Sequence, residues 1–246
     1  MTLRTALIPV IDLMGGQVVR GVGGQRATYR PIVSALCRSS DPVVVGRTLA
    51  AHCGASRLYL ADLDALMGGR VQIAVLKQML QALPEVTELW LDGGFADAAA
   101  AAAVAQQLGE LAGRVLPVYA SESLRSRAAL AECCAQNPQA VLSLDRRGNQ
   151  RLDPAGCWDA PELWPPRVIV MTLERVGSGQ GPDLQTLAEV QARAPAAQLV
   201  GAGGLRSPAD LQAADAAGAA GWLVASALHD LQLPPVAGSA GCCAGR

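Results

Sequence analysis

The sequence predicts an α/β chain folded as a (β/α)8 TIM barrel, and three observations predict it. Eight short apolar runs rich in β-branched residues recur along 246 residues. Amphipathic or alanine-rich segments with helix-start signals fill most of the gaps between them. A Gly-Gly pair follows two of the runs at related places, Leu91-Asp92-Gly93-Gly94-Phe95 and Gly201-Ala202-Gly203-Gly204-Leu205.

The runs are Leu7–Leu13, Leu58–Leu63, Leu89–Leu91, Val115–Tyr119, Ala140–Leu144, Val168–Met171, Gln198–Val200 and Trp222–Val224. Near-continuous apolar runs, rather than alternating ones, mark strands buried on both faces, as in a parallel sheet covered by helices. From the second onward they start roughly 25 to 30 residues apart, the spacing of β/α units in a barrel of about 250 residues. Helices are expected over Asp41–Cys53, Val71–Leu83, Asp97–Leu111, Ser126–Cys134, Leu184–Ala194 and Pro208–Ala217. Asp41-Pro42 and Ser207-Pro208 place a capping side chain before a proline at the first helical position.

The halves of the chain echo each other, which suggests a half-barrel duplication. Asp12 closes the first strand and Asp145 the fifth. Gly-Gly ends the third and seventh. Loops rich in glycine and polar residues follow the second (Asp62–Gly69) and sixth (Glu174–Gly181). A single domain is expected over residues 1–233. The glycine-rich stretch from Met14 to about Ser40 is a candidate lid or, equally, an ordered surface hairpin. Residues 234–246, small and polar with no periodic apolar face, are expected to be disordered or loosely packed.

Composition narrows the function. Hydrophobic residues make up 51% of the chain and aromatic residues 3%, so the core is aliphatic and alanine-based. No apolar stretch is long enough for a membrane span, and no membrane partner is expected. The formal net charge is −1 with scattered basic residues, which argues against nucleic acid. Seven cysteines without a spaced framework point to a reducing compartment, the cytoplasm. The first residues run straight into a strand, so no signal peptide is expected. No metal site is expected, because no His/Cys/Asp cluster has ligand spacing.

Barrel enzymes work at the C-terminal ends of their strands. Ionisable residues expected there are Asp12, Asp62, Asp92, Asp145 and Glu174, whereas His52 and His229 fall elsewhere. Asp12 and Asp145, on opposed strands, would flank a substrate, one as general base and the other, with a raised pKa, as general acid. They could equally cap loops or pair with arginines such as Arg20 or Arg146. Gly93 and Gly94 with Ser121 form one candidate phosphate cradle. Gly203 and Gly204 with Ala225 and Ser226 form a second, over which Gly177 and Ser178 could close. The ligand class is therefore a phosphorylated small molecule.

At these residues the chain resembles the ProFAR isomerase family of histidine biosynthesis. The resemblance rests on Ile8-Pro9-Val10-Ile11-Asp12-Leu13 with Gly16 and Val19-Arg20, on Leu60-Ala61-Asp62-Leu63-Asp64, on Asp92-Gly93-Gly94-Phe95, on Ser143-Leu144-Asp145, on Gly201–Ser207 and on Ala219–Leu228. It implies a duplicated half-barrel, two phosphate sites, an aspartate pair at Asp12 and Asp145, and a substrate-binding role for Arg20. The family's isomerase converts an aminoaldose to an aminoketose with no cofactor, so none is expected. Where that isomerase has a threonine and then Asp-Gly-Thr around strand six, this chain has Met171 and Val176-Gly177-Ser178. Gly24–Pro31 and Gly177–Leu184 instead resemble isomerase-related proteins associated with tetrahydromethanopterin-linked one-carbon metabolism. Three readings follow: a divergent paralogue serving that metabolism, an authentic ProFAR isomerase, and a non-catalytic binding or assembly protein.

Overall fold

The computed structural model describes residues 3–21 and 28–235. Part of the candidate lid (22–27) and nearly all of the 234–246 tail lie outside the described residues. Eight strands run parallel: β1 (Ala6–Met14), β3 (Arg57–Asp62), β4 (Glu88–Asp92), β5 (Val115–Ala120), β6 (Val141–Arg147), β8 (Arg167–Thr172), β9 (Gln198–Ala202) and β10 (Gly221–Val224). Each pairs with the next in that order, and β10 pairs with β1, which closes the barrel. The predicted (β/α)8 barrel is therefore the observed fold, and each of the eight expected runs falls on one of its strands, except that Leu63 passes into the helical turn after β3 and Ala140 precedes β6.

Both faces of these strands are buried, which is why they read as unbroken apolar runs. Ile8, Tyr59, Trp90, Val141, Ile169 and Leu223 fill the barrel interior. Ile11, Leu13, Leu58, Leu60, Leu142 and Trp222 face outward beneath the helices. Burying such a side chain contributes about 1.5–3 kcal/mol.

The helices are α1 (Pro42–Cys53), α3 (Ile73–Ala82), α4 (Ala98–Leu108), α5 (Arg127–Gln136), α6 (Leu184–Arg193) and α7 (Pro208–Ala216). Short helical turns follow β3, as α2 (Leu63–Leu66), and β10, as α8 (Ser226–His229). Asp41 accepts the Val44 amide at 2.9 Å and so caps α1 as the Asp-Pro signal predicts. The expected helix over Asp97–Leu111 ends earlier, at Leu108. Gly109 turns with φ 63° and a 3-10 segment continues to Arg114. Between β6 and β8 two 3-10 turns, Cys157–Asp159 and Pro161–Leu163, take the place of an α-helix. Gly156, Pro161 and Pro165-Pro166 leave too few unbroken residues for one.

The two half-barrels match in placement. Each opening strand carries a short antiparallel partner, β2 (Gln17–Val19) on β1 and β7 (Gln150–Arg151) on β6. Each Gly-Gly pair is followed at the same spacing by an N-cap: Asp97 accepts from Ala100, and Ser207 accepts from Asp210. Among the described residues no helix is long and apolar enough to cross a membrane.

Candidate active site

Strand register decides which side chains meet at the barrel mouth. Asp12 is level with Ala61, and Ala61 with Asp92, on β1, β3 and β4. Asp145 is level with Met171, and Met171 with Ala202, on β6, β8 and β9. These residues line a cavity of about 320 Å³ at the C-terminal end of the barrel. Asp12 and Asp145 therefore occupy the same end and the same cavity. Asp62, one position beyond Ala61, faces the other way. It caps α2 and accepts from the Gln72 amide at 2.7 Å, so it has no place in the mouth.

Asp145 is 4% exposed. One carboxyl oxygen accepts from Ser143 Oγ at 2.7 Å. The other lies 3.2 Å from Ser121 Oγ and 3.4 Å from the Glu122 amide. Burial, with the neighbouring Glu122 and Asp92 carboxylates adding to it, pushes its pKa well above the usual carboxylate range. A shift in that direction favours the protonated form, the form that can donate a proton. Asp12 sits over Gly21, where a Cβ would stand 2.5 Å from Asp12 Oδ2. Asp92, 6% exposed, accepts from the Tyr59 hydroxyl at 2.9 Å. Burial and the Asp92 charge drive that phenol's pKa far upward, so Tyr59 stays a neutral donor.

The β9 end is built differently. Gly203 and Gly204 turn with φ 83° and 79°, which a residue with a side chain adopts only at a cost. The Trp222 indole N–H donates to the Gly203 carbonyl at 3.2 Å, and the Gly181 amide donates to the Gly204 carbonyl at 3.0 Å. In a trans peptide the N–H points opposite its carbonyl. The N–H groups of Gly204 and Leu205 are thus turned away from Trp222 and Gly181. Gly203, Gly204, Ala225, Ser226, Gly177 and Ser178 all line the cavity. Two arginines fix the loop after β8: Arg175 donates to the Gly181 carbonyl at 3.0 Å and Arg206 to the Gly179 carbonyl at 3.0 Å.

The remaining candidates stand outside the cavity lining. Ser121 is fully buried; its hydroxyl accepts from the Asp145 amide and donates to the Leu152 carbonyl at 2.8 Å. Gly94 donates its N–H to Asp92 at 3.2 Å. Gly93 lies against Phe95 and Val71. Arg20 does not itself line the cavity but forms a two-point pair, at 2.6 and 2.9 Å, with Asp230, which does. Arg146 donates to Thr186 and to the Gly148 carbonyl, not to either catalytic candidate. Glu174 leaves one buried carboxylate oxygen without a partner and does not line the cavity. Tyr59, Glu122 and Arg147 also line it and were not singled out from the sequence. Met171 and Val176, the positions that depart from the isomerase pattern, both face the cavity.

Comparison with known proteins adds a family. The model described as "Histidine biosynthesis protein" matches residues 6–234. A ProFAR isomerase of Cenarchaeum symbiosum is 28% identical over 240 residues, covering 91% of this chain and 94% of that protein. One from Lactiplantibacillus plantarum is 27% identical over 249 residues, with the same two coverages. An uncharacterised protein of Methanocaldococcus jannaschii is 37% identical over 73 residues, spanning 30% of this chain and 32% of its own length.

Proposed function

This chain belongs to the histidine biosynthesis protein family, and from that premise we propose that it binds a phosphorylated small molecule at the barrel mouth and performs acid/base chemistry on it. The Gly203-Gly204 turn, with Ala225, Ser226, Gly177 and Ser178, receives the phosphate. Asp12 is the general base and Asp145 the general acid. The observation that carries the assignment is the buried Asp145 carboxyl, hydrogen-bonded by Ser143 and facing the same cavity as Asp12; burial raises its pKa, which suits it to the acid role. Two carboxyls whose environments push their pKa values apart divide acid and base roles between them. The reaction uses no cofactor in this scheme.

The substrate we propose differs from that of the histidine-pathway isomerase. Met171 stands beside Asp145 in register and presents a thioether where the isomerase pattern has a hydroxyl. Val176 lines the same wall without a carboxylate. The segments Gly24–Pro31 and Gly177–Leu184 favour a place in tetrahydromethanopterin-linked one-carbon metabolism, in the cytoplasm. Authentic ProFAR isomerase activity is the second reading, favoured by relatives that carry that name over 91% of the chain. Growth of an isomerase-deficient histidine auxotroph separates the two. The first reading expects no rescue by this chain, and rescue would establish the second.

A further inference from the structure

The two candidate cradles are not equivalent. Resting on the reading above, that this cavity takes a phosphorylated ligand, we propose that the ligand carries one phosphate, held at the β9–β10 end. Its other end presents a cationic or hydrogen-bond-donating group, such as an amine, to the β4–β6 side.

The donors that a phosphate would need in the first half are committed elsewhere. The Ser121 amide donates to the Ser143 carbonyl at 2.8 Å. Its hydroxyl donates to the Leu152 carbonyl. The Glu122 amide is turned to Asp145 and the Gly94 amide to Asp92. The α2 turn covers the glycines: Leu66 Cα lies 3.4 Å from where a Gly94 Cβ would be. On the cavity side this end presents the Asp92 and Glu122 carboxylates and the Asp145 carboxyl, with Arg147, at the end of β6, the only basic residue in the lining among the described residues. A phosphate brought there would meet carboxylates at short range, where like charges repel strongly. The β9–β10 end contributes Asp230 to the lining, and that carboxylate is already held in a two-point pair with Arg20. Both glycine carbonyls are tied back, which turns the Gly204 and Leu205 N–H groups away from those partners, and Ser226 belongs to the wall, whereas the Ser178 hydroxyl already donates to the Arg175 carbonyl at 3.0 Å. The half-barrels share a backbone plan, yet the donors of the first cradle are spent on the protein itself while the Gly204 and Leu205 N–H groups of the second are turned away from such partners, and that difference orients an unsymmetrical ligand.

A matched series tests this: butyl phosphate, 4-aminobutyl phosphate and 1,4-butanediol bisphosphate, with their six-carbon homologues, titrated calorimetrically into the full chain. The aminoalkyl phosphate is expected to bind at least tenfold more tightly than the alkyl phosphate, and the bisphosphate more weakly than either. Ser226→Asp is expected to abolish binding of the whole series. Glu122→Gln is expected to narrow the amine's advantage several-fold and leave alkyl phosphate binding intact. Tightest binding by a bisphosphate, or loss of phosphate binding in Ser121→Ala, would overturn the inference while the phosphate-binding reading stands. No binding by any phosphorylated compound would overturn both. Circular dichroism of each variant confirms that a loss is not unfolding.

Discussion

The indole N–H of Trp222 reaches across from β10 to the carbonyl of Gly203, at 3.2 Å, and its ring lies over Gly201. A side chain on the outer face of the barrel thereby sets the direction of a peptide group at the mouth. Trp222→Phe keeps the ring and removes the N–H. It should weaken phosphate binding about three- to tenfold, and stability should fall by about 1–3 kcal/mol from the orphaned carbonyl. Calorimetric titration with inorganic phosphate and thermal melts measure the two effects. Unchanged affinity would show that the cradle does not depend on this hydrogen bond.

Asp145→Asn should separate activity from stability. Activity on the true substrate should drop about 10²- to 10⁴-fold with the loss of a general acid. Stability moves the other way. The unfolded Asp ionises near pH 4, but the folded one only at a much higher pH. The folded state thus holds the proton over that window, and wild-type stability declines as pH rises through it. The variant lacks this decline, so its urea midpoint should gain on wild type as pH rises above about 4, the unfolded pKa. A margin independent of pH would contradict the proton-retaining assignment.

Gly21→Ala tests the placement of Asp12. The new Cβ would stand 2.5 Å from Asp12 Oδ2, so the carboxylate must move. Displacing a reacting group by about 1 Å costs on the order of 10²-fold in rate. Turnover should fall by about that factor with the melting temperature nearly unchanged. Full activity would remove Asp12 from the chemistry.

His229 gives the fold an acid sensitivity. Burial, with Arg20 nearby, pushes its pKa down to about 4, against the opposing pull of Asp230. Its ring lies 3.2 Å from Ser34 Oγ, and its carbonyl accepts from the Leu36 amide at 3.2 Å. Between about pH 6.5 and 4 the unfolded chain takes a proton that the folded chain refuses, so stability falls as pH falls through that range. The full effect is about 3 kcal/mol. His229→Gln should flatten this part of the stability–pH curve, and an unaltered curve would place the acid sensitivity elsewhere.

How much of this was readable from the residues follows from burial. Barrel strands such as Leu58–Leu63 are covered on both faces, so they stand out as apolar runs without a period-2 pattern. That same feature hides which face each residue takes. Asp62 and Asp92 both end strands, yet register puts Asp92 in the mouth and turns Asp62 outward. Tyr59 reads as one more apolar strand residue until its hydroxyl is seen on Asp92. The β2 and β7 arms, three and two residues long, carry too little pattern to detect. Glu122 follows Ser121 at the end of β5, and that position was the one available signal of its role. The symmetry of the two Gly-Gly segments was legible because it is backbone chemistry. The difference between the two cradles was not, because it depends on which donors are already spent.

Turnover of ProFAR by the purified chain tests the central claim most directly. Two polar groups of the isomerase pattern are replaced by Met171 and Val176 at the cavity wall, and the loss of one positioned donor costs about 10²- to 10³-fold in rate. The account predicts a rate at least about 100-fold below that of an ordinary family isomerase assayed alongside it. A comparable rate, abolished by Asp12→Asn, would contradict it and make this chain a histidine-pathway isomerase.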